Sequence, residues 1–159
     1  MTRLQVNEGV VKTAGFNMQT EKHLEALKET DKTLKVALDD PEGLLGHQRR
    51  IVFMVSVGAQ QLIEVYFHRL NIIKPGAQVK HDWFKLVENN LKERLSPILT
   101  KSVNSIPKID QILYLANKIE SDRNDLVYGA PLKDDKKLKE KIDDFLELKK
   151  IIKEQAGDL

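Results

Sequence analysis

The chain has 159 residues and no cysteine, which excludes disulfides, thiolate zinc sites and a cysteine nucleophile together. The same absence fits a reducing compartment, so a cytoplasmic protein is expected. Net charge is almost absent as well: 26 Lys and Arg face 24 Asp and Glu and leave +2. Such a balance gives no generic attraction to nucleic acid or an anionic membrane, so any basic patch has to be local. No apolar run reaches membrane-spanning length, since the cluster Ile51–Val57 is interrupted, and residues 1–19 hold no continuous apolar segment of secretory type; a soluble chain without a membrane partner is expected. Also missing are a phosphate-cradling glycine loop, a nucleophile elbow and a paired-glycine dinucleotide fingerprint, which leaves nucleotide-hydrolase and dehydrogenase chemistry without support.

What is present is helical periodicity. Residues 1–19 scatter Gly9, Gly15, Asn7 and Asn17 among valines without a helical repeat and are expected as an N-terminal arm, a small hairpin or a disordered lead. From Thr20, a candidate N-cap, Leu24, Leu27, Leu34 and Leu38 fall on one stripe. Asp39-Asp40-Pro41 breaks that helix and starts a second, expected over about residues 42–70, whose apolar residues occupy more than one face, as for a central helix packed on two sides. Gly58 inside it implies close approach by a neighbour, because glycine there otherwise costs about 1 kcal/mol relative to alanine. A third helix is expected from His81-Asp82 to Ser96-Pro97 on the stripe Phe84, Val87, Leu91 and Leu95. A fourth opens at Pro107 on Ile109, Ile112, Ala116 and Ile119 and runs to Gly129 and Pro131. The last, over 134–156, repeats Leu138, Ile142, Phe145, Leu148 and Ile152. With no internal repeat and no alternating strand pattern, residues 20–156 predict an all-α antiparallel helical bundle of four to five helices.

One stretch of this pattern carries chemistry, SDRNDLVYGAP at residues 121–131. Four residues beyond Ile119, the fourth stripe places Arg123, and Glu120, Asn124 and Tyr128 follow the adjoining ridge if the helix persists. A guanidinium keeps its charge, so at the end of a core stripe it has to pair with a carboxylate, reach solvent or line a cleft. Two readings stand side by side. In one, the helix simply ends, with Arg123 on the dipole and Gly129 in a left-handed turn. In the other, Arg123 meets a phosphate and Asn124 and Tyr128 hydrogen-bond the same ligand.

The segment RNDLVYG, between an amphipathic helix and a long last helix, resembles the signature region of HEPN domains (higher eukaryotes and prokaryotes nucleotide-binding). AQQLIEVYFHRLN, with Ala59, Gln60, Gln61, Glu64 and Arg69, resembles that family's second long helix. The resemblance implies an all-α bundle from about 20 to 156 in which Arg123 contacts the phosphate of RNA or a nucleotide with Asn124 beside it, and Glu120 and Glu64 nearby. It also implies a homodimer lining one cleft, and a minimal nucleotidyltransferase as partner, in a toxin-like or substrate-binding role. The family's ribonucleases carry a histidine after four to six intervening residues and cleave without a metal. Here that slot holds Tyr128, Gly129 or Ala130. A tyrosine with a pKa near 10 is a poor general base at neutral pH, so binding is the leading expectation. An active metal-independent endoribonuclease, with Tyr128 or His68 in the missing role, is the alternative. A third reading is a structural interaction module whose Arg123 closes a salt bridge to Glu64 or Glu120.

The remaining candidates carry bland readings beside functional ones. His23, His47, His68 and His81 form no His-x-x-x-His pair and no evident group with carboxylates, so neither a metal site nor a cofactor is expected. His47-Gln48-Arg49-Arg50 and His68-Arg69 supply local positive charge for a phosphate backbone or a solvated face. Trp83-Phe84 offers a stacking surface or core. On the last helix Asp143, Asp144 and Glu147 interleave with lysines, which makes a mixed surface rather than a nucleic-acid face, and surplus apolar width there would suit a dimer.

Overall fold

Each apolar stripe finds its place against one helix. The computed structural model describes residues 2–159, with side chains described from Thr20 onward. It contains α1 (Thr2–Leu38), α2 (Gln48–Arg69), α3 (Glu88–Leu95), α4 (Ile109–Glu120), α5 (Arg123–Tyr128) and α6 (Lys136–Ala156), joined by short 3-10 turns. No β-strand occurs among the described residues; an isolated antiparallel bridge, Ile73 to Leu99, ties two connecting segments together. The fold is an all-α helical bundle. α2 is its centre and packs against α1, α4, α5 and α6. Ile51, Val52, Val55, Ala59, Leu62, Ile63, Val65, Tyr66 and Phe67 are all buried within it. Contrary to the expectation from the sequence, the segment Leu45–Arg69 does have the length and apolarity of a membrane span, but 67% of its most apolar window is buried inside the bundle. Packing on several sides accounts for that composition.

The stripes of α4 and α6 hold position by position. Ile109, Ile112, Ala116 and Ile119 are buried, as are Leu138, Ile142, Phe145, Leu148 and Ile152. Gly58 marks a close crossing of α1, α2 and α6. A Cβ there would lie 2.7 Å from Phe145 Cε2 and 3.1 Å from Thr30 Cγ2, so the missing methyl is what lets the helices meet.

Several boundaries differ from expectation, each for a local reason. The helix runs through Thr20, which is therefore not its cap, and the arm expected at 1–19 falls on residues whose side chains lie outside the described set. α2 starts at Gln48 rather than near 42, because Asp40 Oδ1 accepts the Glu42 N–H at 2.9 Å in a local turn and Gly43 has φ +93°; that backbone is not helical. The expected third helix is divided. His81–Lys85 forms a 3-10 turn, Leu86 and Val87 are extended, and α3 follows. Asn117 Nδ2 donates to Phe84 O at 2.7 Å and Leu86 O at 3.3 Å, occupying carbonyls that a continuing helix would need. Phe84, Leu91 and Leu95 are core, whereas Val87 is 68% exposed.

The break that matters most lies between α4 and α5. The fourth helix ends at Glu120, Ser121 turns out of the helix, and Asp122 is left-handed at φ +59° before α5 begins at Arg123. Lys141 explains the stop. This lysine is 3% exposed, and its Nζ donates to Lys118 O at 2.9 Å, Ile119 O at 2.8 Å and Ser121 O at 2.7 Å. Three donors thereby satisfy carbonyls at the end of α4, where a cation also suits the helix dipole. Burial outweighs this favourable field and brings the Lys141 ammonium down to a pKa of about 8. Gly129 closes α5 in an extended conformation, φ −86° and ψ −165°, not the left-handed turn expected. Glycine is needed there because a Cβ would stand 2.3 Å from the Asp125 carbonyl oxygen.

Candidate functional site

Arg123 opens α5 and is 8% exposed. Its guanidinium carbon lies 5.3 Å from the centroid of the Phe53 ring, on α2, in reach of a cation–π contact. Nη1 donates to Asn124 Oδ1 at 3.2 Å. Nε is buried without an acceptor, the single such side-chain atom among the described residues. No ion pair among the described residues involves an arginine; all use lysine or histidine as the cation. A buried, permanently charged group with no counter-charge and an orphaned donor is costly to the fold.

The two carboxylates expected beside Arg123 are engaged elsewhere. Glu120, 1% exposed, accepts from Ser56 Oγ at 2.5 Å and from His81 Nδ1 at 2.9 Å. Ser56 and His81 both bind the carboxylate rather than each other, so the trio does not have the hydroxyl-to-imidazole contact that nucleophilic catalysis requires. Glu64 is drawn into a separate group with Val79, His23 and His68. Neither forms the salt bridge to Arg123 that the structural reading required. Tyr128 stands 76% exposed at the far end of α5. The expected ridge is cut between Glu120 and Asn124 by the Ser121-Asp122 break, which turns α5 away from the continuation of α4, while Asn124 and Tyr128 keep their i, i+4 spacing within α5. Within that expected constellation, Arg123 and Asn124 are joined by a side-chain hydrogen bond.

Reading α2 from Phe53 toward its start adds what the sequence did not join to this motif. Arg50 and Arg49 precede Phe53 by three and four residues, one helical turn away on the same face. They flank an open groove of about 610 Å³ lined by Leu45, Gly46, His47, Gln48, Arg49, Arg50 and Pro131. Gln48 Oε1 accepts the Leu132 N–H at 2.9 Å and ties this helix start to the chain following α5. His47 Nε2 pairs with Asp40 at 2.7 Å. The backbone N–H of Glu42 first, and then His47, hold the Asp40 carboxyl below its ordinary pKa. Phe53, which carries Arg123 on its ring, reads in the sequence as one more apolar residue of a core helix, yet it is 45% exposed.

The other basic pair does not form such a surface. Arg69 Nη1 donates to Ala156 O at 3.2 Å and Gly157 O at 2.9 Å, capping α6, and His68 belongs to the Glu64 group. Phe84 is core, while Trp83 is partly buried against it.

The expectation that the histidines stay apart from carboxylates is overturned. His23 of α1 and Glu64 and His68 of α2 place one ligand atom each within 4.8 Å of one another. The signal in the sequence was Glu64-x-x-x-His68, two residues four apart on one helix face; His23, 41 positions earlier than Glu64, could not be joined to it by spacing. Burial holds the His68 pKa below its ordinary value, against the opposing pull of Glu64.

No family model, curated protein or solved structure matches this chain.

Proposed function

We propose that this chain is an HEPN-like binding protein that holds a phosphate of RNA or of a nucleotide at Arg123, with Asn124 beside it and Arg49 and Arg50 extending the contact along α2. The single observation that carries this reading is the uncompensated Arg123 guanidinium: buried, lacking a carboxylate, resting on the half-exposed ring of Phe53. A phosphate supplies the missing negative charge and accepts from the free Nη donors in the geometry a guanidinium prefers. Phe53 gives a base a face on which to stack beside that phosphate. Binding rather than cleavage is favoured because the histidine slot holds the phenol of Tyr128, a poor general base at neutral pH, and His68 is turned into the Glu64 group. The homodimer and the minimal nucleotidyltransferase partner are part of the proposal and rest on the resemblance of RNDLVYG to the HEPN signature.

Fluorescence anisotropy with a labelled mixed-sequence RNA and with ATP tests it. Loss of one charge-assisted contact, worth about 1.5–3 kcal/mol, weakens binding about ten- to a hundredfold in Arg123→Ala. For RNA, the salt dependence of log K becomes shallower by about 0.7 per lost phosphate contact. Unchanged affinity in Arg123→Ala contradicts the proposal. RNA cleavage in EDTA that disappears in the same variant moves the assignment to a ribonuclease.

A further inference from the structure

The His23, Glu64 and His68 group lies apart from the Arg123 surface in its chemistry and in its partners. Glu64 is 2% exposed at the level of the whole residue. Its Oε1 accepts the Val79 N–H, and the Val79 carbonyl is itself held by Gln60 Nε2 at 2.5 Å. That leaves Oε2 as the unengaged oxygen of the carboxylate. His23 Nε2 and His68 Nε2 each stand 3.5 Å from this one atom. A separation of 3.5 Å is long for a hydrogen bond. It is the edge length expected for ligands sharing a tetrahedral zinc, because Zn–N and Zn–O bonds near 2.0–2.2 Å at tetrahedral angles separate neighbouring ligand atoms by about 3.3–3.6 Å.

The surroundings orient the ligands as a metal site requires. Gln61 Oε1, an acceptor only, lies against His23 Nδ1. It fixes the tautomer with the proton on Nδ1 and leaves the Nε2 lone pair facing Oε2. The two imidazole centroids lie 5.5 Å apart with their planes 27° apart, and both Nε2 atoms approach the same carboxylate oxygen. His23 and His68 side chains are 22% and 14% exposed, which gives a cation an entry path and leaves a coordination position open to water. Two imidazoles and one carboxylate select a borderline transition ion such as Zn²⁺ over Mg²⁺ or Ca²⁺, which prefer all-oxygen shells.

The geometry points to a divalent transition-metal site, of Zn²⁺ type, formed by His23 Nε2, His68 Nε2 and Glu64 Oε2, with Gln61 and the Val79 peptide as its outer supports. The ion bridges α1 to α2, and binding therefore stabilises the folded chain by an amount that grows with the logarithm of free metal above the dissociation constant.

Untagged protein, stripped with EDTA and dialysed, is titrated with Zn²⁺ alone and its metal content measured. One equivalent binds per chain and stays bound in about a thousandfold excess of Mg²⁺. Co²⁺ in place of Zn²⁺ gives visible d–d absorption characteristic of a four- or five-coordinate site. Gln61→Ala weakens binding about ten- to a hundredfold, as loss of an outer support does, and His23→Gln and His68→Gln weaken it further. His47→Gln, outside the group, leaves it unchanged. His23 is partly exposed on α1, so His23→Gln remains informative if His68→Gln fails to fold. Stoichiometry well below one, displacement by Mg²⁺, or equal affinity in folded His23→Gln overturns the assignment.

Discussion

Replacing Arg123 with methionine separates a binding residue from a structural one, because the two roles give opposite signs of stability. The orphaned, buried Nε represents about 1–3 kcal/mol of unrepaid desolvation. Arg123→Met removes that cost and keeps an unbranched stem against Phe53. The cation–π contact, on a half-exposed ring, contributes about 0.5–1 kcal/mol, and a thioether on the same ring returns about as much. The hydrogen bond to Asn124 is worth about 1 kcal/mol, and the exposed amide recovers part of it from water. The balance favours methionine by about 1 kcal/mol. With a urea m-value of about 2 kcal/mol/M for a domain of this size, the unfolding midpoint rises by about 0.5 M. Circular dichroism across a urea series reads it directly. A fall of 3 kcal/mol or so, the usual penalty for breaking a buried ion pair, would refute the reasoning and identify a hidden partner for Arg123.

Other expectations concern the frame around the site. In Gly58→Ala, the new methyl meets the Phe145 ring at 2.7 Å; overpacking of about 1–3 kcal/mol exceeds the helix-propensity gain of about 1 kcal/mol, so a chemical melt shows net destabilisation. Gly129→Ala drives its Cβ into the Asp125 carbonyl oxygen at 2.3 Å, and a loss of about 1–3 kcal/mol is expected although the backbone there is extended; an unchanged melting temperature contradicts the geometry. For Lys141 the sign follows from its pKa of about 8 in the fold against an ordinary 10.5. Between those values the unfolded chain holds the proton and the folded chain does not, so this group's contribution to stability rises with pH. Relative to Lys141→Met, the wild type therefore gains about 3 kcal/mol between pH 7 and 10.5, measured as the difference between paired denaturation curves.

Much of the bundle was legible in the sequence because spacings of three and four residues survive any change of helix end. The α4 and α6 stripes are buried residue for residue, and Gly58 marked the crossing it implied. The ends were less legible because they depend on groups distant in sequence. Asn117 stops the turn at Phe84 from across the bundle, and Lys141 caps α4 from α6. That second contact decided the site: it detached α5 from α4, left Glu120 to Ser56 and His81, and set Arg123 on Phe53 instead. Arg123 and Asn124 share a hydrogen bond at the start of α5, whereas Glu64 is engaged by Val79, His23 and His68. The cation-ready group of His23, Glu64 and His68 stayed hidden because one of its members comes from another helix.

The central claim is that the Arg123 guanidinium waits for a phosphate. Its Nε–H is shielded by burial, so its ¹H–¹⁵N cross-peak is observable by NMR and assignable by its loss in Arg123→Met. Titration with a short RNA and, separately, with ATP should shift that cross-peak saturably as phosphate engages the Nη donors. A cross-peak that stays in place while RNA or nucleotide binds, or a chain that binds neither, contradicts the account.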